Sequence, residues 1–274
     1  KASKFAESRE AFLKAGDLAR SLQDPTARAH ILTRLGMLFS QQAGRLEGMA
    51  VHDSWRASIA SYREALELFS AEQDSSKRTL TQADLGLALV ELSELQIGGD
   101  ADRLLAEAVT YCREALAAAD RKRDAWDWAF VRSTLSQVLE SMATRRMGDE
   151  KKQLLTEAIE GYREALECYM RDAIFSTWIS PKRWAGTLHD LGNALHKLAK
   201  TEDGRRSIAL LEEAESCFEK ALTVWNRELY PWDWANTQNS LGNAYAALAR
   251  RSHGREASAH FTNALSGYRN ALLV

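Results

Sequence analysis

An all-α fold, made by stacking copies of one helical pair, is what this chain predicts, and three observations carry that reading. A Leu-Gly step returns as Leu35-Gly36, Leu85-Gly86, Leu135-Ser136, Leu191-Gly192 and Leu241-Gly242, at intervals of 50, 50, 56 and 50 residues. Between these steps, apolar residues recur at the three- and four-residue spacing of a helical stripe, and the alternation of a strand is absent. Self-similarity at a period of about 20–50 residues marks a solenoid, in which each unit buries against its neighbours a face it cannot bury alone.

The first helix of each pair is announced by its start. The residue eleven positions before each Leu-Gly is Asp24, Asp74, Asp124, Ser180 or Tyr230. Four of these are N-capping types, whose side-chain oxygen accepts from an otherwise unpaired backbone N–H. The next column holds all three prolines, Pro25, Pro181 and Pro231, which fit the first helical position because its N–H has no partner there. Twelve residues after each Gly or Ser stands Gly48, Gly98, Gly148, Gly204 or Gly254. A left-handed glycine closing the first helix is expected in that column.

The second helix carries a stripe such as Leu154, Ala158, Tyr162, Ala165 and Leu166. It contains a recurring aromatic-x-x-Ala-Leu cassette: Tyr62–Leu66, Tyr111–Leu116 (one residue longer, through Cys112), Tyr162–Leu166, Phe218–Leu222 and Tyr268–Leu272. Small residues at Gly192, Ala194, Ala214 and Ala221 allow close helix contact. About eleven helices are predicted, in one repeat domain over 1–274: a half repeat at 1–23, then repeats at 24–73, 74–123, 124–179, 180–229 and 230–274. Ser8-Arg-Glu-Ala-Phe12 is an offset copy of the cassette, so the chain is expected to open on a second helix. It closes on Ala271-Leu-Leu-Val274 without a polar cap. With no initiator Met, this reads as a piece of a larger protein, or as an array whose ends meet a partner or another copy.

Composition narrows the function. A formal charge of −2 removes the broad attraction on which non-specific nucleic-acid binding depends. No apolar run reaches the roughly 18–20 residues of a membrane span, and no signal-peptide pattern is present. Cys112, Cys168 and Cys217 all fall inside second helices without a C-x-x-C pair. Buried thiols in a reducing compartment, hence a cytoplasmic location, are expected. His189 and His196 lie about 10 Å apart along a helix, with no HExxH motif, so no metal is expected. G-x-S-x-G, P-loop and G-x-G-x-x-G fingerprints are missing, and the expectation is a protein without catalysis or cofactor.

Leu241-Gly-Asn-Ala-Tyr245, followed by Ala264-x-x-x-Tyr268-x-x-Ala271, resembles the tetratricopeptide repeat (TPR), and Leu191-Gly-Asn-Ala-Leu195 does so too. The usual TPR spans about 34 residues. Trp234-Ala-x-Thr-Gln-x-x-Leu-Gly-Asn-Ala looks like a longer variant of about 50 residues found in bacterial signalling proteins, some of which carry a caspase-like CHAT protease domain. The resemblance implies a right-handed α-solenoid of about five TPR-like helix pairs plus one leading helix. It further implies that residues one after the conserved glycine (Met37, Leu87, Gln137, Asn193, Asn243) and three before it (Thr33, Ala83, Ser133, His189, Asn239) line a concave groove. Lys197 lies five after Gly192. Asn236, Asn239 and Asn243 share one helical face, and such amides can pair with the backbone of an extended peptide.

The function so expected is a scaffold that holds a peptide or protein partner in that groove, within a bacterial signalling or regulatory assembly. Gln137, Asn193, Asn239 and Asn243 would be its polar readers. His189 and Asn239 stand where clamp-type TPR domains use cations or asparagines, so a strong carboxylate clamp is not expected. Two alternatives stay open: a regulatory array controlling a linked enzyme such as a CHAT protease, and self-association through open ends. The extra residues of the fourth interval, within 171–183, place Phe175 and Trp178 either in a partner hot spot or in a lengthened helix. Trp128, Trp184 and Trp234 share one register and read as packing residues.

Overall fold

Helices begin where the caps and prolines put them. In a computed structural model of the chain, the first helices are α1 (Pro25–Ala43), α3 (Ser75–Glu94), α5 (Ala125–Thr144), α7 (Pro181–Ala199) and α9 (Pro231–Ala249). The second helices are α2 (Met49–Leu68), α4 (Gly99–Ala118), α6 (Gly148–Ala173), α8 (Gly204–Leu222) and α10 (Gly254–Ala271). The structure describes residues 24–44, 46, 48–70, 75–173 and 181–274, with positions 10, 11, 14, 17 and 21 ahead of them. Among the described residues there is no strand. Asp24 caps α1, its Oδ1 accepting from the Ala27 N–H at 2.9 Å. The described positions of the leading segment are helical, and Lys14 pairs with Glu10 one turn earlier at 2.6 Å.

The glycine column is correct in identity but not in place. Gly48, Gly98, Gly148, Gly204 and Gly254 all have φ between 56° and 70°, yet they stand at the start of the second helix rather than the end of the first. Gly48 and Gly98 have ψ of −142° and −145°, in a region a Cβ essentially forbids and far from the left-handed helix. The first helices stop earlier by tightening. Leu95 and Gln96 donate to the carbonyls of Leu92 and Ser93, as Thr201 and Glu202 do to Leu198 and Ala199. These three-residue turns satisfy the last carbonyls without a left-handed residue, so glycine is left to redirect the chain.

The aromatic column also needs one correction. A Cβ on Gly36 would lie 2.6 Å from the Tyr62 ring, on Gly192 2.6 Å from Phe218, and on Gly242 2.8 Å from Tyr268. In the second repeat the atom in that place is Cys112 Sγ, 2.7 Å from a Cβ built on Gly86, and not the Tyr111 ring. The register therefore stays at 50 residues, with a thiol replacing the ring and nothing inserted. Cys112, Cys168 and Cys217 are buried and unbridged, and burial pushes the Cys112 thiol up to about 12.

The helices fall into two compact units, residues 1–141 and 142–274. In the first, α1 packs on α2, α2 on α3 and α3 on α4, while α1 also touches α3. Phe130 and Val131 of α5 close a core with Ala83 and Ala115. In the second, α6 packs on α7, α7 on α8, α8 on α9 and α9 on α10, while α7 also touches α9. Consecutive pairs within each unit thus stack mainly through the second helix of one pair on the first helix of the next, with a smaller contact between first helices, which is the packing of an α-helical repeat. The Arg of the cassette, to which the sequence assigned no role, ties second helices together: Arg63 pairs with Glu107 at 2.5 Å and Arg163 with Glu213 at 2.7 Å, at the same register. Being half-exposed, each pair contributes at most about 1 kcal/mol.

Two features set the limits of this stacking. α6 continues to Ala173, past position 168 where the register of α2 and α4 would end it, so part of the longer interval extends a helix. Phe175 and Trp178 lie outside the described residues. On α10, Phe261 is 48% exposed, although Leu105, Leu155 and Leu211 in the same register are at most 1% exposed. Leu211 is covered by Ala247 and Leu248 of the following first helix.

The glycine contact can be tested by moving one atom. Gly86→Ala should destabilise the protein by about 1–3 kcal/mol through overpacking, despite a helix-propensity gain of about 1 kcal/mol. Adding Cys112→Ala, which removes the opposing sulfur, should restore most of the loss in urea unfolding. An unchanged midpoint in the single variant would show that the approach is not a constraint.

Candidate functional site

The faces of α1 and α3 leave a cleft of about 390 Å³, lined by His30, Thr33, Arg34 and Met37 of α1, Phe69 after α2, and Lys77, Leu80, Thr81 and Asp84 of α3. Its back wall is the seam between the two helices. Thr33 and Thr81 meet there with their hydroxyls 3.3 Å apart. Each hydroxyl is also satisfied locally, Thr33 donating to the Ala29 carbonyl and Thr81 to the Lys77 carbonyl. The wall is therefore polar without being hungry for a partner. Met37, Leu80 and the buried Phe69 supply apolar surface, while Arg34 and Lys77 lie exposed on the rim. The His30 ring lies 5.6 Å from that of Phe69, and its buried Nε2 has no hydrogen-bond partner in the protein.

Comparison of equivalent positions explains why the cleft is open here. Position 33 corresponds to 189, and position 30 to 186, across the repeats. In the α7–α8 pair the first of these is His189 instead of Thr33, and the second is Gly186 instead of His30. Trp225 takes the register of Phe69 and packs within 3.8 Å of a Cβ built on Gly186. His189 fills the space beside it, 5.7 Å from the Trp225 ring and 5.6 Å from that of Phe218. A small threonine leaves room in one unit that an imidazole and an indole occupy in the other.

His189 is accordingly an internal joint, 6% exposed. Its Nδ1 is 3.0 Å from the Thr237 hydroxyl, and its Nε2 is 3.5 Å from the Asn236 amide of α9. Burial pushes its pKa down to about 4. The remaining sequence-derived site residues are dispersed. Asn236 and Asn239 are exposed on α9, Asn193 is half-buried on α7, and Asn243 is half-buried with its Oδ1 accepting from the Tyr268 hydroxyl at 2.9 Å. Thus Asn243 is engaged within its own helix pair. Gln137 and Lys197 are half-buried, and each already has an interaction within the protein. Met37 and Thr33, from the two predicted groove columns, do line the cleft. His30, Arg34, Leu80 and Phe69 were missed, although Phe69, Tyr169 and Trp225 share a register that was visible in the sequence as a recurring aromatic.

Among the described residues, no group of three or more His, Cys, Asp or Glu is placed to hold a metal ion, and no helix is long and apolar enough to cross a membrane.

The buried imidazole makes stability depend on pH. With a folded-state pKa near 4 and an unfolded value near 6.5, the unfolded chain binds the extra proton between those limits. Stability should therefore fall as pH drops from about 6.5 to 4, by about 3 kcal/mol from this group, and flatten below. Urea unfolding across that range should show the slope in the wild type and a clearly reduced one in His189→Gln.

No protein-family model matches the chain, and no curated protein does. Among solved structures it is similar to a circular tandem repeat protein with novel repeat topology and enhanced subunit contact surfaces. The two are 20% identical with a TM-score of 0.42, over 98% of this chain and 65% of that one. This chain thus spans about two thirds of the length of that protein.

Proposed function

We propose that this chain is a non-catalytic helical-repeat scaffold of TPR type that holds a peptide or protein partner against the faces of its first helices. The observation that carries the reading is the cleft between α1 and α3, where the residues one after and three before a conserved glycine, Met37 and Thr33, border an apolar recess. Its mixture of an apolar floor and a charged rim suits an extended segment with one buried side chain and polar flanks. The TPR resemblance adds a bacterial signalling or regulatory assembly as the setting. The amides of α7 and α9 contribute less. A net hydrogen bond is worth about 0.5–1.5 kcal/mol, so Asn193 and Asn239 can refine a register but cannot by themselves hold a partner. The apolar anchor is worth more, about 1.5–3 kcal/mol for a buried side chain.

Selection of a random dodecapeptide display library on the immobilised protein tests this. Enriched peptides should lose roughly tenfold or more in affinity for Met37→Asp, since an anchor of about 1.5–3 kcal/mol is removed. They should lose only a few-fold for Asn193→Ala/Asn239→Ala, with helicity unchanged in both. Failure to enrich any sequence, or equal binding to Met37→Asp, would sink the reading.

A further inference from the structure

The outer face of α10 matches the outer face of α2 in side-chain kind. Phe261, Leu265, Arg269 and Leu272 stand at the same distances from Gly254 as Trp55, Ile59, Arg63 and Leu66 do from Gly48, the glycines at which the two helices start. Steps of three and four residues keep each set on one helical face. On α2 the following helical pair covers this face. α3 packs on α2, Ile59 and Leu66 are 4% and 8% exposed, and Arg63 pairs with Glu107 of α4 at 2.5 Å. Leu92 of α3 borders the same seam, between Arg56 and Glu107. In the other unit α6 repeats the arrangement, with Leu155, Ile159 and Leu166 buried and Arg163 held by Glu213 at 2.7 Å. On α10, by contrast, Leu265 and Leu272 are 56% and 85% exposed and Phe261 is open beside them. Arg269 is exposed, and among the described residues it has no carboxylate partner.

An apolar stripe of this kind beside an unpaired charge marks an interaction surface, and the covered faces show what fits it. The covering first helix brings a leucine at one column, Leu92, Leu198 or Leu248, and Leu248 packs with Leu211 of α8 in this way. The second helix behind it brings a glutamate, Glu107 on Arg63 or Glu213 on Arg163. A second copy of this chain does not meet those two requirements. Its α1 and α2 carry Gln42 and Ala57 at the leucine and glutamate columns, and the outer face of α10 carries no carboxylate to offer another Arg269.

We propose that the outer face of α10 docks a helical pair of a partner protein, with the chemistry of α3 and α4: leucine over Phe261 and Leu265, and glutamate on Arg269. This surface is independent of the cleft between α1 and α3. The probe is a fluorescein-labelled helical pair with the sequence of residues 69–118, followed by anisotropy against the intact protein. Phe261→Asp should weaken its binding by about tenfold or more, since an apolar anchor becomes a charge. Arg269→Glu should weaken it by about fivefold, and Glu107→Arg in the probe should recover most of that loss. Ala259→Asp, an exposed position on the other side of α10, should change it by less than about twofold. Equal losses in Phe261→Asp and Ala259→Asp, or no recovery on charge exchange, would overturn the proposal. A second measurement joins the same sequence in frame after Val274. Amide hydrogen exchange in α10 should then slow by about tenfold or more relative to a chain extended by residues 19–68, which bring Gln42 and Ala57; equal exchange would overturn the fit. Protection in the joined chain without binding of the separate pair would assign the face to a repeat of the same chain and overturn the partner assignment. Sedimentation showing self-association that Phe261→Asp abolishes would assign it to a second copy, with the same consequence.

Discussion

Close approach of the two helices in the α1–α2, α3–α4, α7–α8 and α9–α10 pairs is the constraint on which the other features rest. At Gly36, Gly192 and Gly242 an aromatic ring from the second helix lies where a Cβ would have to be, and at Gly86 a cysteine sulfur does. Tyr62, Phe218 and Cys112 are buried as a result. Interiors packed at this density have few ways to accommodate an added atom. The glycine therefore sets how near the helices stand, and the ring or sulfur sets their rotation. With both fixed, each such pair presents an apolar face to its neighbour within the unit, and stacking follows from repetition.

Such stacking leaves function to the positions that repetition does not constrain. Thr33 and His189 occupy the same register, but one opens a cleft and the other closes the equivalent space with a buried imidazole. Substitution at a few columns thus converts packed interior into an open cleft without altering the helices that carry it.

Some misreadings have a common origin. The glycine column was read as a C-terminal cap because a positive φ is commonest there, whereas the glycines turn the chain into the following helix with ψ near −145°. Sequence shows that a glycine is required but not which of the two glycine-favoured regions it adopts. Tyr111 was read as the ring of the second cassette because it is aromatic, while three-dimensional register selects Cys112. Asn243 and His189 were placed on an open face by analogy of column. Their neighbours, Tyr268 for the first and Thr237, Phe218 and Trp225 for the second, come from other helices and carry no local signal.

What the sequence by itself determined is the one-dimensional part of this protein: helix starts at Asp24-Pro25, Pro181 and Tyr230-Pro231, the 50-residue period, and the all-α character. Those follow from capping, proline geometry and periodicity, all of which act within a few residues along the chain. Tertiary structure alone decided which faces are open and which asparagines are already bonded. These depend on the volumes and charges of side chains about 50 residues apart, brought into contact only when one helical pair lies on the next.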